Sequence, residues 1–577
     1  MLPVVVAAVL FGHRLGQAPF DDPGEGMHAE IARELARSGD PFALTLSGVR
    51  YVDKPPLLYA LIALTFRVGG ESELTARLVP AVAAVAGVAA TAWLGTRLLG
   101  TAGGIVAGLA LLTSVGFFAY GRYVRPDSLF VASLAWGFAL VLIGLADERR
   151  RLVGCGVLAF GVAALAKDPL GLLAPLGVVA LAMTLAGRAR PLGRWLPWWS
   201  LTGALLMAFG WWVVQEIRTP GYVWYTVVDN HVRNVARTRL FPDEDVPLTA
   251  LQFLAVAAFG AGPWMVAAIA SIVGLARRRA WREPEELPWI MLALWALGVF
   301  VATAISPFRL PHYGLPAYPA LALLAARAWC HWRGRGLLVT HASGLALLAA
   351  ICALAWRSDG EVFMTRVMET TDVASRKTAA VDQASPLPPW ERFQELFGPT
   401  AAVFASGALL SAAVTTRRRL AARAGAVPIV VTMLALMPSV AAALSLVATH
   451  RAVRSLGAEI ARRAGDRDVV AHEGPLENSG ALEWYSTRRP VIIDGRRSVL
   501  GFAASRPGES APFWDAETTR AHWKSPTRVW AVTTRDPAHS LVARLPGARI
   551  VATAGGRWLY LSPGPDGTSS ASTVAKP

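Results

Sequence analysis

Acidic side chains are concentrated in a short stretch that directly follows the first apolar run of the sequence. The stretch is FDDPGEGMHAEIAREL, residues 20–35, and its five carboxylates are Asp21, Asp22, Glu25, Glu30 and Glu34. Carboxylates at such a place can act as general bases toward a bound hydroxyl. They can also start a helix, with Asp22 as N-cap and Glu25 as its capping-box partner, and Gly39 would then end it. The stretch alone leaves both interpretations open.

Further ionisable groups lie at the ends of later apolar runs. They come in short motifs: Tyr51-Val-Asp-Lys54, Arg122-Tyr-Val-Arg-Pro-Asp127, Lys167-Asp168, Asp229-Asn-His231 and Arg309-Leu-Pro-His-Tyr313. A charge near the bilayer centre costs up to about 3 kcal/mol, so such groups usually line a cavity or pair with one another. A carboxylate cluster ringed by Lys, Arg and His suits a reaction in which a phosphate leaves and an activated hydroxyl attacks.

Structural roles remain open for several of these residues. Lys54, which precedes two prolines, can extend its ammonium to a lipid headgroup. Asp127, which follows Arg-Pro at the start of an apolar run, can cap a helix. His231 lies near three arginines and can belong to a group that binds lipid headgroups.

The composition sets these motifs in a membrane protein. Of the 577 residues, 54% are hydrophobic and only 17% are charged, and the mean hydropathy is +0.42. The net charge is +16, and the basic residues cluster in arginine-rich segments between apolar runs. This is the positive-inside pattern of cytoplasmic loops, and it argues against a nucleic-acid-binding surface. The three cysteines show no metal-ligand spacing.

A topology with the arginine-rich loops inside contains thirteen spans. They lie near residues 2–18, 78–96, 102–120, 128–146, 153–166, 170–187, 197–214, 249–276, 287–305, 315–330, 336–356, 398–416 and 428–448. The apolar segment 55–68 is then at the interface, because it is too short to cross. The predicted fold is therefore a polytopic α-helical membrane protein, with a transmembrane catalytic module over residues 1–448 and a first external loop over 19–77.

The more polar tail, residues 449–577, has a different pattern. Short apolar segments suited to strands alternate with helical ones, for example Asp468 to His472, Ser479 to Tyr485, Arg528 to Thr533 and Ala538 to Leu545. Such alternation predicts a small extracytoplasmic α/β domain with a mostly parallel sheet. Its first strand is not followed by a glycine-rich phosphate loop, so nucleotide binding is not indicated. The Ser/Thr/Gly-rich C-terminal end is expected to be disordered.

Several segments occur in the order that is typical of one enzyme family. They are Met27 to Leu35, Gly48 to Tyr59, Ala76-Arg-Leu78, Arg125-Pro-Asp127, Lys167 to Gly171 and Leu310 to Ala320. Over about residues 20–325 they resemble the GT-C glycosyltransferases. They resemble more closely the bacterial branch that contains lipid A aminoarabinose transferase and is related to the protein O-mannosyltransferases.

The resemblance implies an inverting glycosyltransferase of the bacterial cytoplasmic (inner) membrane. It would move a sugar from a polyprenyl-phosphate carrier to an acceptor hydroxyl or phosphate, with its site facing the periplasm or exterior. The acceptor would be a lipid, a protein or a polysaccharide. The internal loops are too short to hold a nucleotide-sugar domain, which independently favours a lipid-linked donor.

The resemblance also assigns roles to residues. The catalytic carboxylates would be Asp22, Glu25 and Asp127, and the donor phosphate would meet Lys54, Arg125, Lys167 and Arg309. The donor and acceptor pocket would include Asp53, His28, Tyr59, His312 and Tyr313, and Asp53 with His231 would hold a divalent metal ion.

The sequence departs from the family pattern at the start of the acidic stretch. Gly24-Glu25 stands where the family usually has Asp-Glu, and Met27-His28 replaces an Arg-Tyr pair. Asp53 stands where Glu is common, one methylene shorter. A polyprenyl-linked sugar transporter or flippase, and a sugar-lipid binder without catalysis, therefore remain alternatives. A transporter should have related halves and charges in mid-span, and neither is seen in the sequence.

Overall fold

The computed structural model describes residues 1–187, 195–241, 245–331, 335–380, 386–417, 424–495, 500–506 and 513–564. The C-terminal end predicted to be disordered lies outside these ranges, as do the basic segment 188–194 and parts of two other arginine-rich loops.

Helices make up most of the chain before the tail. In chain order they are α1 (Leu2–Gly12), α2 (Gly24–Ser38), α3 (Leu57–Gly69), α4 (Glu73–Leu112), α5 (Val115–Gly121), α6 (Asp127–Ala146), α7 (Arg150–Ala166), α8 (Leu170–Leu185), α9 (Trp198–Arg218), α10 (Ala250–Ala261), α11 (Trp264–Arg277), α12 (Leu287–Ile305), α13 (Tyr318–His331), α14 (Gly336–Trp356), α15 (Val373–Ala380), α16 (Trp390–Thr416) and α17 (Val427–Arg451). One large apolar cluster joins side chains of α1, α4 to α14, α16 and α17.

The described helices include six that are long and apolar enough to cross a membrane. They are Glu73–Leu112, Asp127–Ala146, Pro284–Ile305, Gly336–Trp356, Trp390–Thr416 and Val427–Arg463. The pair α10 and α11, bent by 107°, adds a seventh if it forms one span. Gly100, with φ 78°, interrupts α4. The predicted span 78–96 and the first part of the predicted span 102–120 lie in this broken helix, and the end of the second span lies in α5. The chain is a polytopic helical membrane protein, and the number thirteen stays a prediction.

The first external loop contains two helices and a small hairpin. The hairpin pairs β1 (Thr45–Leu46) with β2 (Val49–Arg50). Helix α2 ends at Gly39, as predicted, in the left-handed conformation with φ 75°. Its predicted start was wrong: the helix begins at Gly24 with Pro23 as N-cap and without a side-chain cap. Asp22 does not cap it because an ion pair with Arg557 holds its carboxylate elsewhere.

The tail forms a six-stranded sheet. Its strands are β3 (Val469–Glu473), β4 (Val491–Ile493), β5 (Phe513–Trp514), β6 (Val529–Thr533), β7 (Arg549–Ala554) and β8 (Arg557–Leu561), in the order β5-β4-β3-β6-β8-β7. The strands β5, β4, β3 and β6 are paired in parallel, and β8 is antiparallel to both of its neighbours, β6 and β7. Helices α18 (Arg454–Arg463), α19 (Gly480–Ser486) and α20 (Ala516–Trp523) accompany the sheet. The mostly parallel sheet is thus confirmed.

One predicted helix of the tail is largely absent. Within residues 538–545 the structure has only a short 3-10 turn, Val542–Arg544. The Glu473 carboxylate accepts hydrogen bonds from the Ser540 hydroxyl at 2.5 Å and from the Leu541 amide at 2.6 Å. These bonds hold the backbone to the end of β3, which explains why a longer helix does not form.

The sheet region packs directly on the first external loop. Helix α2 crosses α19 so closely that a Cβ at Gly26 would lie 2.4 Å from the Ala481 Cβ. Phe20 and Leu58 of the loop share an apolar cluster with Trp484 and Ile492 of the tail. The acidic stretch is therefore held between the membrane helices and the C-terminal sheet.

Candidate active site

Asp127 lies at the first position of α6, directly after a tight turn that ends in Pro126. Its side chain makes no cap, so the capping role is wrong. The carboxylate is buried and lies between two cations. Lys167 Nζ is 2.7 Å from Oδ1, and Arg125 Nε is 3.5 Å from Oδ2. These opposite charges keep the carboxylate ionised in a place shielded from water.

Lys167 reaches Asp127 from the end of α7. Its ammonium also lies 5.5 Å from the centre of the Phe130 ring and 5.6 Å from that of Tyr313. Aromatic faces attract a cation at this range. The lysine is thus held in one position by a carboxylate and two rings, which suits a group that must meet a phosphate.

Several buried polar atoms around Asp127 lack a hydrogen-bond partner within the described part of the chain. They are Asp127 Oδ2, Arg125 Nε and His312 Nδ1. Burial, and then the positive charge of Arg125, lowers the pKa of His312 well below its usual value, so its ring is neutral. Buried polar groups are normally satisfied, and unpaired acceptors and donors in one place are what a polar ligand would use.

Asp53 and Lys54 precede α3 and form a second ion pair, with 2.9 Å between Lys54 Nζ and Asp53 Oδ2. Burial opposes the charge on Lys54, but the Asp53 carboxylate outweighs it and raises the pKa of the lysine. Lys54 is therefore a fixed cation in the external loop.

His28 of α2 connects the two ion pairs. Burial, and then the charges of Arg125 and Lys54, lowers its pKa to about 3, while Asp127 and Asp53 act in the opposite direction. All four charged groups are thus close enough to influence one imidazole. The ring Nδ1 lies 2.9 Å from the Tyr59 hydroxyl. His28 and Tyr59 therefore contact each other, and their place in the donor and acceptor pocket stays a prediction.

Glu25 has a different environment. Arg77 donates to both of its oxygens, with Nε–Oε1 at 2.8 Å and Nη2–Oε2 at 2.6 Å. The amides of Val124 and Asp21 each add a hydrogen bond. The Glu25–Arg77 pair is buried. Both oxygens of Glu25 are used by these hydrogen bonds and do not face a substrate. Its surroundings are those of a group that holds the loop to α4.

Asp22 is also paired with an arginine. Its partner, Arg557, comes from β8 of the sheet. Burial raises the pKa of Asp22 to about 6, although Arg557 acts to lower it. Asp22 therefore links the acidic stretch to the tail. Asp22 and Asp127 both have buried oxygens without a hydrogen bond in the described structure, but of the three candidate carboxylates it is Asp127 that contacts the phosphate-binding candidates Arg125 and Lys167.

Two further residues of the predicted site, Arg309 and His231, form hydrogen bonds with backbone carbonyls. Arg309 donates to the carbonyls of Leu248, Ala304 and Ser306, and its described contacts do not reach the Asp127 site. His231 is exposed, and its Nδ1 lies 2.6 Å from the Thr226 carbonyl.

Among the described residues, the group of three side chains placed to share one metal ion contains neither Asp53 nor His231. Asp53 is already paired with Lys54 at 2.9 Å, so ligation by Asp53 and His231 would require the carboxylate to exchange that cation for the ion. The donor set of this chain therefore does not fit a metal ion as it stands, and the metal stays a prediction.

One charged pair near the site was missed from the sequence. Lys377 of α15 lies 2.7 Å from Asp245, and the charge of Asp245 acts on both Arg125 and Tyr120. The two residues are far apart along the chain and lie in polar segments without a motif. Local patterns therefore gave no signal for them.

Comparisons with known proteins agree with the predicted resemblance. Residues 53–213 match the family model described as dolichyl-phosphate-mannose-protein mannosyltransferase. A Pseudomonas aeruginosa protein named undecaprenyl phosphate-alpha-4-amino-4-deoxy-L-arabinose arabinosyl transferase is 30% identical over 355 residues, 58% of this chain and 61% of that protein. An Aquifex aeolicus protein of undescribed function is 24% identical over 332 residues, 56% of this chain and 63% of that one. The chain thus matches about 60% of the length of these relatives.

Solved structures show the same fold over nearly the whole chain. The crystal structure of ArnT from Cupriavidus metallidurans bound to undecaprenyl phosphate superimposes with a TM-score of 0.75 at 22% identity, covering 97% of each chain. The same protein in the apo state gives a TM-score of 0.77 with the same identity and coverage. These similarities confirm the resemblance to the GT-C glycosyltransferases, and the chain has the fold of ArnT.

Proposed function

We propose, from this fold and the Asp127 site, that the chain is an inverting glycosyltransferase with a polyprenyl-phosphate-linked sugar as donor. The observation that carries the proposal is the buried Asp127 carboxylate, which pairs with Lys167 through Oδ1 and with Arg125 through Oδ2, and whose Oδ2 accepts no hydrogen bond in the described structure. A carboxylate beside fixed cations is what glycosyl transfer from a phosphate requires. The relatives named as undecaprenyl phosphate aminoarabinose transferases and the ArnT structure with undecaprenyl phosphate support this donor class.

The reaction is a single displacement at the anomeric carbon of the sugar. An acceptor oxygen forms a new bond to that carbon, and the bond from the carbon to the carrier phosphate oxygen breaks with its electron pair. With a hydroxyl acceptor, the proton passes to Asp127 Oδ2. With an acceptor phosphate that is already ionised, Asp127 only orients the attacking group.

Cations stabilise the departing carrier phosphate. Lys54, Arg125 and Lys167 supply three fixed positive charges around the site. Fixed charges aimed at a leaving group need no reorganisation during the reaction. His28 and His312 are neutral and line the sugar or the acceptor with Tyr59 and Tyr313. Arg309 would join the phosphate only by releasing backbone carbonyls.

The site faces the exterior in this proposal. The protein is an integral protein of the bacterial inner membrane, with the module 1–448 carrying the chemistry and the region 449–577 covering the first external loop. The arginine-rich loops on the opposite side support this orientation, and the prenyl tail of the donor would lie among the helices. The acceptor class is a lipid, a protein or a polysaccharide.

A sugar-lipid binder without transfer is a second candidate. The family usually has an acid at the position of Gly24, and a Cβ there would lie 2.8 Å from the Tyr123 hydroxyl. Tyr123 donates to Asp21 Oδ2 at 2.8 Å, so a tyrosine fills the space next to the missing side chain. A binder would hold the donor without releasing the carrier phosphate.

The test uses purified protein, radiolabelled undecaprenyl-phosphate aminoarabinose and a total envelope extract as acceptor. We expect the wild type to release carrier phosphate and label an acceptor, and Asp127→Asn to do neither while still binding the donor. Asp147→Asn is the matched control, because Asp147 caps the opposite end of the same helix and pairs with Arg97 at the surface. Full activity of Asp127→Asn would remove this residue from the mechanism. Donor binding without transfer by the wild type would favour the binder.

A further inference from the structure

Three glutamates meet where the first external loop packs on the tail. Glu30 and Glu34 lie one turn apart on α2, and Glu483 faces them from α19. One carboxylate oxygen of each lies within 4.8 Å of those of the other two. The side chains are 0%, 7% and 5% exposed. This three-glutamate cluster is separate from the Asp127 site.

The nearby arginines leave the three-glutamate cluster with excess negative charge. Arg33 is buried and pairs with Glu30 at 2.5 Å, but it also donates to the carbonyls of Glu483 and Trp484 in the last turn of α19. These carbonyls form the negative end of a helix. Arg489 reaches Glu34 at 3.5 Å and Glu483 at 3.4 Å, yet it is 57% exposed. Two positive charges, those of Arg33 and Arg489, are therefore set against three carboxylates and the negative end of a helix.

Two buried oxygens of the three-glutamate cluster, Glu30 Oε2 and Glu483 Oε2, lack a hydrogen bond of ordinary geometry in the described structure. Glu30 Oε2 is ion-paired with Arg33, whereas Glu483 meets Arg489 through Oε1 and has the Ser47 hydroxyl nearby. An unpaired buried carboxylate oxygen costs free energy that a ligand would recover. Burial also raises the pKa values of Glu30 and Glu483, so the place favours added positive charge.

The surroundings of Glu34 orient it for ligation. The Thr45 hydroxyl donates to Oε2, and the Gly48 amide donates to Oε1 at 3.3 Å. Groups that hydrogen-bond a ligating carboxylate in this way fix its orientation. Both donors belong to the hairpin of the external loop, so the loop geometry sets the position of this carboxylate.

We propose that Glu30, Glu34 and Glu483 bind one hard divalent cation that fastens the first external loop to the C-terminal sheet. The donor atoms are all oxygens, the set preferred by Ca²⁺, Mg²⁺ and Mn²⁺. Water molecules complete the coordination shell. The ion stabilises α2, which carries His28 into the Asp127 site, but its binding does not depend on the proposed transfer reaction.

Ion binding is measured on the full chain in detergent after EDTA treatment and removal of the chelator. Mn²⁺ is the probe, followed by electron paramagnetic resonance, and Ca²⁺ and Mg²⁺ are tested as competitors. We expect about one high-affinity ion per chain and a rise in Tm on its addition. Glu483→Gln and Glu30→Gln should weaken binding roughly 10- to 100-fold and abolish the rise in Tm.

Two controls separate this site from others. Glu517→Gln removes an exposed glutamate of α20 and should leave ion binding unchanged. Asp53→Asn removes the predicted Asp53–His231 ion and should also leave the Mn²⁺ signal of the three-glutamate cluster unchanged. In EDTA, Glu483→Gln should melt at or above the wild-type Tm, because a buried charge is gone and its partner Arg489 is 57% exposed; this shows that the variant folds. Glu30→Gln leaves the buried Arg33 without its carboxylate and should melt below the wild type.

The opposite result has a definite form. The proposal is wrong if none of the three ions raises the Tm of the wild type and the glutamine variants bind Mn²⁺ as tightly as the wild type does. In that case the three carboxylates share a proton instead of an ion. An ion effect that disappears in Asp53→Asn but persists in Glu483→Gln would also overturn it.

Discussion

Glu25 is the residue for which the structural and catalytic roles separate most sharply. The change Glu25→Gln keeps the shape of the side chain but replaces one acceptor oxygen by an NH₂ that faces the donors of Arg77. Both carboxylate oxygens of Glu25 accept from this arginine, and the two side chains are 2% and 5% exposed. The variant should therefore lose stability rather than chemistry.

The magnitude follows from the burial of the pair. Removing one partner of a buried ion pair costs about 3–5 kcal/mol, because the other charge is left without compensation. For a chain of 577 residues, a loss of this size corresponds to a fall in Tm of about 2–4 °C. The assay is tryptophan fluorescence during heating, with initial transfer rates measured well below the Tm and expressed per folded molecule.

The matched control is Glu71→Gln in the same external loop. Glu71 pairs with Arg37 at 3.1 Å, but the side chains are 37% and 61% exposed, so the cost should be about 0–1 kcal/mol. The reasoning is refuted if Glu25→Gln melts like the wild type while transfer is abolished. Glu25 would then be the catalytic carboxylate.

Three further changes test other parts of the molecule. Lys167→Met removes the cation 2.7 Å from Asp127 and should lower the initial transfer rate roughly 100-fold; a rate within about threefold of the wild type would contradict this. Burial, and then nearby arginines, lowers the pKa of His472 from 6.5 to about 3, so its contribution is complete above pH 6.5 and is lost as the pH falls toward 3. At pH 5 the loss of folding free energy from this group is about 2 kcal/mol. The Tm of His472→Gln should therefore fall less than that of the wild type between pH 7 and pH 5, whereas an equal fall would show that the His472 ring is protonated in the folded protein. If Asp53 and His231 hold an ion, EDTA should inactivate transfer in a background in which the three-glutamate cluster carries glutamines, and Mn²⁺ should restore it; activity that EDTA leaves intact would remove the metal from the mechanism.

The sequence predicted the elements whose signals are local. Apolar runs and arginine-rich loops indicated a helical membrane protein, and alternating segments gave the strands of the tail at Val469–Glu473 and Val529–Thr533. Gly39 ended its helix as expected. Hydropathy could not locate the breaks at Gly100 and between α10 and α11, because a window average passes over a single residue with unusual backbone angles.

Ion pairs between residues far apart in the sequence could not be predicted from local sequence patterns. Two candidate acids of the opening stretch have their arginines far along the chain: Glu25 has Arg77, and Asp22 has Arg557. Spacing identified Asp127 as a candidate but gave no means to separate it from the other two acids. All three are buried, and the separation came from the atoms that each carboxylate contacts.

The contact between Asp22 and Arg557 also bears on when the molecule becomes complete during its synthesis. Asp22 is synthesised 535 residues (557 − 22) before Arg557 of β8. At ordinary translation rates this interval is on the order of a minute. During that time the acidic stretch lacks its ion pair with Arg557. A nascent chain released after α17 but before Arg557 is made would contain the helices α1 to α17 but not this ion pair.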